Sequence, residues 1–389
     1  MKLENRGQSH LKYCIEVISR SAMKFFAHFV PIKKNRILFY SFTGNQYSCS
    51  PKYISEYLYH HCRDEVEIVW AFRDLRLQSL LPDNIKCVKY QSIKFFYYHL
   101  SAKIIISNIY PFHLIPTRKD QLMIDTWHGG GAYKVAGFDY VEGNKYLRES
   151  IEYYKDNIDV FISSSRLFTE YFIHNGLRYT GTVLTCGLPR NDVFFFDEER
   201  RSQIRKRVYS TLGIDTEYQL ILYAPTWRGE DASVGCEFDA RGLEMAACKR
   251  FGGKWKTLTR MHMYTTDKTF GDAIDAKAYP DMQELLVACN ILITDYSSSI
   301  WDYSLTGKPC FLYTYDLEQY ERKRAFYVDI EKWGFPLCPT MKTLIEAIED
   351  FDEQEFKSRM QYHYDLLGGY DDGHASEKVA SFIKRYIGE

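Results

Sequence analysis

Short apolar segments alternate with helix-like segments along most of this chain, and the alternation occurs twice. In the first run, the predicted strands include RILFYSF at 36–42, EIVWAF at 67–72 and LMIDTW at 122–127. Segments near 51–61 and 166–175 are predicted helices. Apolar strands that alternate with helices are typical of a parallel sheet covered by helices on both faces. The first run therefore predicts a doubly wound α/β domain.

The same alternation starts again after GLPRND, a turn cluster at 187–192. The predicted strands of this second run include QLILYAP at 219–225, WKTLTRMH at 255–262, NILITD at 290–295 and PCFLYTY at 309–315. A chain of 389 residues, 46% of them apolar, is long enough for two domains that each bury a core. We therefore predict an α/β protein of two doubly wound, Rossmann-like domains that face a cleft, with ligands outside the carboxyl ends of the strands.

Four segments follow from this organisation. Residues 1–34 contain an N-terminal amphipathic helix, 35–186 form the first α/β domain and 187–370 form the second. Residues 371–389 are predicted to form a C-terminal helix that can pack back on the first domain.

The N-terminal helix is predicted to be one-sided. Its apolar residues recur at intervals of three and four, although Val17, Met23 and Val30 fall off this stripe. Two interpretations remain open, because a helix with a basic flank can lie on an anionic membrane surface or pack on the core of its own protein. The stripe consists of Leu11, Cys14, Ile15, Ile18, Ala22, Phe25, Phe26 and Phe29, and the basic flank of Lys12, Arg20, Lys24, Lys33, Lys34 and Arg36.

Charge and cysteine content argue against several classes of protein. Lys and Arg total 50 against 51 Asp and Glu, so the charge balance gives no argument for a nucleic-acid partner. None of the ten cysteines forms a CxxC pair, which indicates reduced thiols rather than a zinc site or a disulfide framework. The sequence has neither a signal-peptide pattern nor an apolar run of about 18 residues. We therefore expect a cytoplasmic protein without a membrane-spanning helix.

The stretch IDTWHGGG at 124–131 carries the first candidate site. His128 follows a predicted strand, which places it at the carboxyl edge of the first sheet, and histidine is the usual general base for a hydroxyl nucleophile. Gly129 and Gly130 let the backbone approach a ligand closely, and Lys134 follows within reach of an anion. The alternative is a histidine that only hydrogen-bonds its own loop.

The second candidate site lies in ILITDYSSSIWDY at 291–303. A predicted strand ends at Thr294 and Asp295, and three serines then open a helix. Serine hydroxyls and the amides of a helix start can bind a phosphate, although the same residues also serve as ordinary caps. Asp302 follows one turn later and could bind a ribose hydroxyl or be a solvated helix residue. The three serines are Ser297, Ser298 and Ser299.

Three basic residues follow other predicted strands of the second domain. Arg228, in YAPTWR, can grip a phosphate in a bidentate manner. Arg260 and His262 are two residues apart at the end of a predicted strand, so they share a face and can reach one ligand. A surface arginine and a buried structural histidine are the ordinary alternatives.

Together these stretches resemble the CDP-glycerol glycerophosphotransferase family, the bacterial teichoic-acid and capsule polymerases and primases. The resemblance covers about 36–370 and rests on FYSFTGNQYSCSPKYISEYL, DTWHG, YAPTWR, RMH and ITDYSSSIWDYSLTGKPCFLYTYDLEQY. One departure is GGGAYK after His128, because the family commonly continues with Gly-Thr-Pro-Leu-Lys. The extra residue changes the position of Lys134.

The resemblance implies a GT-B-like architecture with an acceptor-side first domain and a nucleotide-donor second domain. The implied activity is transfer of an alditol phosphate, most directly glycerol phosphate, from a CDP-alditol to a hydroxyl of a lipid-linked or polymeric acceptor. CMP would be released, and the product would be a teichoic acid or capsular polymer. By position, His128 resembles the family's base, and Arg260 and His262 resemble the basic site at the donor phosphates. His128 and His262 are thus the two expected catalytic residues. The donor-phosphate loop would be Asp295 to Ser299, with Arg228 as a companion.

The resemblance also implies peripheral attachment to the inner face of the cell membrane. Two other functions stay open: a GT-B glycosyltransferase with a nucleotide-sugar donor, and a non-catalytic nucleotide-binding protein. Retention of His128, Arg260 and His262 together argues against the second of these. We expect no cofactor and no Mg²⁺ requirement, because basic side chains can balance the phosphate charge. Glycerol and ribitol remain equally compatible with the motifs, and so do primase and polymerase action.

Overall fold

A computed structural model describes residues 18–109, 114–115, 117–131, 133–141, 145–226, 237–261 and 270–388. The described residues form two compact units. The first unit contains the chain up to His128, Ala136–Asp192 and the residues from Tyr370 onward; the second contains Gly129–Val135 and Val193–Gly369.

A parallel sheet forms the centre of the first unit. Its strands are β1 (Lys33–Tyr40), β2 (Glu67–Phe72), β3 (Lys86–Lys89), β4 (Ala102–Ser107), β5 (Leu122–Asp125), β6 (Val160–Ser163) and β7 (Thr182–Thr185), in the order β3-β2-β1-β4-β5-β6-β7. The helices of this unit include α1 (Cys49–Cys62), α2 (Ile93–Ser101), α3 (Lys145–Asp156), a π-helical segment (Phe168–Gly176) and the C-terminal helix (Ala375–Gly388).

Alternate residues of β1 lie on opposite faces of this sheet, as strand geometry requires. Ile37 and Phe39 belong to a buried cluster that includes side chains of α1 and of the C-terminal helix. Leu38 and Tyr40 belong to another cluster, with Phe95 of α2 and side chains at the N-terminal end of the described chain. Helices therefore cover both faces of the first sheet.

A second parallel sheet forms the centre of the second unit. Its strands are β8 (Tyr218–Tyr223), β9 (Lys254–Thr259), β10 (Ile274–Asp275), β11 (Ile291–Thr294), β12 (Cys310–Tyr313) and β13 (Leu337–Cys338), in the order β10-β9-β8-β11-β12-β13. The helices are α4 (Glu198–Leu212), α5 (Ala240–Phe251), α6 (Met282–Ala288), α7 (Ser299–Ser304), α8 (Leu317–Lys323), α9 (Met341–Glu349) and α10 (Glu353–Leu367). Helix α5 packs with α9, and α4 packs with α6.

Local capping sets the ends of helices better than apolar periodicity does. The carboxylate of Asp197 accepts a hydrogen bond from the amide of Arg200, and Gly213 ends α4 with φ +66°.

The strand predicted at 255–262 ends earlier in the structure, at Thr259. Strands β10 and β13 have two residues each, too few to show a period, and the sequence did not predict them. The predicted class, two doubly wound Rossmann-like α/β units, is confirmed.

Two assignments to domains were wrong. The sequence began the second domain at residue 187, whereas 187–192 belong to the first unit, where Asp192 accepts hydrogen bonds from the amides of Ala375 and Ser376.

The other wrong assignment concerns the segment after His128. The sequence placed Gly129–Val135 in the first α/β domain, whereas these residues belong to the second unit. The reason is an aromatic anchor. Tyr133 is buried, and its ring lies 4.8 Å from the Trp333 ring in a stacked arrangement and 4.0 Å from the Trp301 ring. Burial of the large Tyr133 side chain stabilises this segment within the second unit, although its residues follow β5 of the first sheet in the sequence.

The described part of the N-terminal helix covers residues 18–27; the predicted helical residues 10–17 lie outside the described residues. The residues that contact the core are Met23, Ala27 and Val30, none of which lies on the predicted apolar stripe. The described aromatic members of the stripe are exposed: Phe25 is 62% exposed and Phe29 is 70% exposed. The helix therefore presents an apolar face away from the core cluster that it contacts. In the described part of the chain, no helix is long and apolar enough to cross a membrane.

Candidate active site

The turn before His128 is held by a buried carboxylate. Asp125, the last residue of β5, accepts a hydrogen bond from the amide of Trp127 at 2.6 Å and another from the Tyr154 hydroxyl at 3.2 Å. Trp127 has φ +51°, a left-handed conformation that costs energy for a bulky residue. Burial raises the pKa of Asp125 to about 7, against the lowering effect of these two bonds. Asp125 thus supports the strained turn that presents the histidine.

The imidazole of His128 is oriented by a backbone carbonyl. Its Nδ1 lies 2.9 Å from the carbonyl oxygen of Asn108, which directly follows β4. A carbonyl oxygen only accepts hydrogen bonds, so Nδ1 carries the proton in the neutral ring. Nε2 is then the nitrogen that can take a proton from a substrate. The ring centroid also lies 4.3 Å from that of Trp127 and 5.8 Å from that of Phe42.

Two residues that the sequence analysis did not select complete this site. The Nη1 of buried Arg190 donates to the carbonyl of His128 at 2.7 Å. The side-chain oxygen of buried Asn108 accepts from the amide of Phe42 at 2.8 Å, which joins the ends of β1 and β4. Arg190 lies in GLPRND, which was interpreted only as a turn between domains. The signal available in the sequence was an arginine that follows a proline in a short loop after β7.

The glycine run after His128, Gly129 to Gly131, belongs to the second unit. Gly131 lies so close to Trp301 that an added Cβ would be 2.3 Å from ring atoms of the indole. The amide of Val135 donates to the carbonyl of Ala325 at 3.0 Å, and Lys134 forms an isolated antiparallel bridge with Phe326. Lys134, predicted as an acceptor or loop residue beside His128, therefore belongs to the second unit, as do Gly129 and Gly130.

The carboxyl end of β11 is tied to that of β8. Both carboxylate oxygens of Asp295 accept from the amide of Thr226, at 2.9 and 3.0 Å, and the Thr294 hydroxyl donates to the carbonyl of Ala224 at 2.7 Å. Asp295 also accepts from the amide of Tyr296 at 2.5 Å. These two predicted site residues engage backbone groups, and so they set the shape of the loop that follows.

The predicted serine cluster opens a helix, as expected. Ser298 is the N-cap residue of α7 but makes no side-chain capping bond. The Ser299 hydroxyl and the Ser297 hydroxyl are 3.0 Å apart, and the amide of Ser299 donates to Ser297 at 3.3 Å. Because the Ser298 side chain makes no capping bond, its hydroxyl is suited to an anion, whereas the amide of Ser299 is already engaged by Ser297.

Asp302 is not a solvated helix residue. It is 2% exposed, and its Oδ2 accepts from the side-chain amide of buried Gln283 at 3.0 Å. The interpretation as an exposed residue was therefore wrong, because α7 turns this face towards α6 rather than to water.

Arg260 follows β9, and its backbone amide donates to the carbonyl of Tyr223 at 2.8 Å. Its Nη1 is buried and has no hydrogen-bond partner within the described ranges. Burial lowers the pKa of Arg260 to about 10, although Asp281 and Tyr279 act in the opposite direction. The guanidinium is therefore charged at neutral pH, and a buried charge with an unsatisfied donor favours an anionic ligand.

Two other predicted site residues cannot be placed. Arg228 lies in 227–236 and His262 in 262–269, both outside the described residues. Among the residues that the structure describes, no group of three or more His, Cys, Asp or Glu side chains could hold a metal ion.

Comparison with known proteins identifies the family. Residues 22–385 match the family described as CDP-Glycerol:Poly(glycerophosphate) glycerophosphotransferase. The chain is 30% identical over 374 residues to the teichoic acid poly(glycerol phosphate) polymerase of Bacillus subtilis (strain 168), covering 91% of this chain and 49% of that protein. The chain thus spans about half the length of this relative.

Two further proteins are similar over nearly their whole length. The teichoic acid glycerol-phosphate transferase of Staphylococcus aureus (strain NCTC 8325 / PS 47) is 28% identical over 370 residues, covering 90% of this chain and 93% of that protein. The structure of a histidine-to-asparagine variant of the wall teichoic acid polymerase TagF, soaked with CDPG, superposes with a TM-score of 0.80 and 26% identity. That superposition covers 99% of this chain and 98% of the TagF chain. This chain belongs to the CDP-glycerol:poly(glycerophosphate) glycerophosphotransferase family.

Proposed function

We propose that this protein transfers an alditol phosphate, most directly glycerol phosphate, from a CDP-alditol to a hydroxyl of an acceptor and releases CMP. Family membership and the soak of TagF with CDPG support the donor. The observation that carries the proposal is the orientation of His128, whose Nδ1 faces the carbonyl of Asn108. This arrangement leaves Nε2 as the proton acceptor that an attacking hydroxyl requires.

In the proposed reaction, the acceptor hydroxyl oxygen attacks the phosphorus that carries the alditol. A new P–O bond forms, the P–O bond to CMP breaks, and CMP leaves with the electron pair. The hydroxyl proton passes to Nε2 of His128. The hydroxyl proton goes to His128 and the leaving group is CMP, so the reaction needs no covalent enzyme intermediate.

Groups of the second unit are proposed to bind the donor phosphates. The charged guanidinium of Arg260 has a buried, unsatisfied Nη1, and Ser298 has a hydroxyl that caps no helix amide. Fixed donors of this kind stabilise charge that develops on phosphoryl oxygens. From their positions in the sequence alone, we propose that Arg228 and His262 also bind the donor phosphates. Because these cations can take the place of a metal ion, we propose that transfer continues in excess EDTA.

A peripheral membrane location is the second part of the proposal. The uncovered apolar face of the N-terminal helix contains Phe25, Phe26 and Phe29, and Lys24 and Lys34 lie nearby in the sequence. An apolar face with a basic flank suits the surface of an anionic membrane. We propose that the protein works on the inner face of the cell membrane, where a lipid-linked acceptor is available.

The test is CMP release by the purified protein, with CDP-glycerol, CDP-ribitol or a nucleotide-sugar as donor and with or without a lipid-linked acceptor. We expect CMP from a CDP-alditol together with a phosphodiester product. Glycoside formation with release of a nucleoside diphosphate would instead identify a glycosyltransferase.

The proposed base is tested by His128→Ala. Loss of a general base should lower kcat by about 100-fold or more while the affinity for CDP-glycerol changes little. His174→Ala is the matched control, because its Nδ1 also lies near a backbone carbonyl, that of Tyr179 at 3.0 Å, but on the π-helical segment. CMP release by His128→Ala within a few-fold of the wild type would remove His128 from this role.

A further inference from the structure

A cavity in the second unit takes no part in the site described above. It lies at the carboxyl end of β12 and has a volume of about 560 Å³. Residues from Thr314 to Gln319, together with Arg322 and Pro339, line it. Its size falls within the range of small-molecule sites, roughly 300–1,000 Å³. Its position at the carboxyl edge of a parallel sheet is where such folds bind ligands.

A hydrogen bond joins the cavity to the segment Asp295 to Ser299, which we call the serine loop. β12 pairs with β11 in parallel register, with Thr294 opposite Leu312, so the two strands end at the same level. The hydroxyl of Tyr296 donates to Oδ1 of Asp316, a lining residue, at 3.0 Å. Tyr296 directly precedes Ser297 in the sequence. The three serines and the cavity therefore lie at the same end of two neighbouring strands.

The chemistry of the lining suits hydroxyl groups better than phosphate. Asp316 and Glu318 supply carboxylates, Gln319 supplies an amide, and Arg322 is the one cation among the lining residues in the described part of the chain. Arg322 lies 3.5 Å from Glu318, which offsets its charge. Two carboxylates beside one guanidinium disfavour the binding of an anion. A carboxylate accepts hydrogen bonds from the hydroxyls of a polyol, and a side-chain amide can both accept and donate them.

The strand order indicates which end of the donor would enter. On one side of β11 lie β8 and β9, and Arg260 follows β9. On the other side lies β12, which leads into the cavity. A cation that stabilises the departing CMP belongs on the nucleotide side of the diphosphate. The alditol is attached at the opposite end of the diphosphate, on the side of β12.

We propose that this cavity binds the hydroxyl groups of the donor alditol, and we call it the alditol pocket. The inference rests on the proposed function, because it assumes a CDP-alditol donor. It assigns Glu318 and Gln319 to recognition of the alditol chain, and so to the choice between alditols of different length. Both residues are exposed, so their substitution leaves the core intact.

The experiment compares two ligands by calorimetry, CDP-glycerol and CMP, in Glu318→Ala and Gln319→Ala. Loss of a hydrogen bond to the alditol should raise the Kd for CDP-glycerol about three- to tenfold. The Kd for CMP should stay within about twofold, because CMP has no alditol. Glu321→Ala is the matched control, since Glu321 is exposed on the same helix α8 but does not line the pocket.

Two results would overturn the inference. An equal loss of affinity for CMP would mean that the nucleoside occupies the cavity, and unchanged affinity for both ligands would mean that the donor does not reach it. Neither result depends on turnover. Failure of the proposed function would appear separately, as wild-type protein that releases no CMP from CDP-glycerol or CDP-ribitol with acceptor present.

Discussion

At the scale of single residues, the chemistry of this protein depends on how each side chain is held. The sequence indicated His128, but the atom that orients its ring is the carbonyl of Asn108, twenty residues earlier. A backbone carbonyl leaves no signature in the residue type, so no motif could have revealed it. Arg190, which holds the carbonyl of His128, comes from sixty-two residues later in the chain. These two contacts exist only because β4, β5 and the loop after β7 lie at one edge of the sheet.

The prediction that belongs to this scale concerns Arg260. Replacement by alanine removes a charge-assisted contact and should weaken CDP-glycerol binding by about 1.5–3 kcal/mol. Only the protonated guanidinium attracts the diphosphate, and its pKa is lowered to about 10. Binding by the wild type should therefore be complete at neutral pH and decline as the pH rises through 10.

Calorimetric titrations at pH 7.5 and above pH 10 measure both effects. The matched control is Arg241→Ala, an exposed arginine on helix α5. If Arg260→Ala binds CDP-glycerol as tightly as Arg241→Ala does, the donor phosphates are bound elsewhere in the protein.

At the scale of elements, two short segments have roles that their composition hides. The composition of Gly129–Val135 predicts a flexible loop of the first domain, but Tyr133 packs against Trp301 and Trp333 and anchors the segment. The sequence of the N-terminal helix predicts one apolar stripe, but the residues that contact the core are Met23, Ala27 and Val30, which lie outside this stripe. In both segments, contacts with residues distant in the chain decide the packing, and the local composition does not reveal these contacts.

Gly131→Ala tests the first of these segments. The new Cβ would overlap the buried indole of Trp301, so we expect a loss of about 1–3 kcal/mol in the free energy of unfolding of the second unit. Gly369→Ala is the control, because an added Cβ there meets no atom within 4 Å. Denaturant titration measures both variants. Equal stability of the two would show that the glycine run is not packed against Trp301.

The N-terminal helix is tested by the triple substitution of Phe25, Phe26 and Phe29 with serine. These side chains are exposed, so the fold should be retained while binding to anionic vesicles falls at least tenfold. Vesicle sedimentation at low and high salt measures the effect, and wild-type binding should weaken with salt. The control is Leu75→Ser, an exposed apolar residue elsewhere on the first unit. Unchanged vesicle binding by the triple variant would leave the helix without a membrane role.

At the scale of the whole molecule, the two units are each built from segments that are distant in the chain. The C-terminal helix, Ala375–Gly388, contributes Val379 and Ile383 to the core of the first unit, beside Ile37 and Phe39 of β1. Asp192 accepts hydrogen bonds from the amides of Ala375 and Ser376, at 2.9 and 2.7 Å, at the start of this helix. Stability of the first unit therefore depends on residues that follow the whole second unit.

Ile383→Ala measures this dependence. Truncation of a fully buried isoleucine should lower the free energy of unfolding of the first unit by about 2–5 kcal/mol. Arg385→Ala, on the exposed face of the same helix, should change it by less than about 0.5 kcal/mol. Denaturant titration, followed by tryptophan fluorescence of buried Trp70, compares the two. A loss for Ile383→Ala no larger than that for Arg385→Ala would show that the helix is not part of this core.

The sequence by itself determined the two parallel α/β sheets, the family and the strand ends that carry His128, Arg260 and Ser298. Apolar periodicity and short motifs suffice for these, because they are properties of neighbouring residues. Only the tertiary structure decided the tautomer of His128, the engagement of Asp295 and Thr294 with backbone groups, the burial of Asp302 and the unit to which Gly129–Val135 belongs. Each of these depends on contact between residues far apart in the chain, where burial and hydrogen bonding of one side chain outweigh local preference.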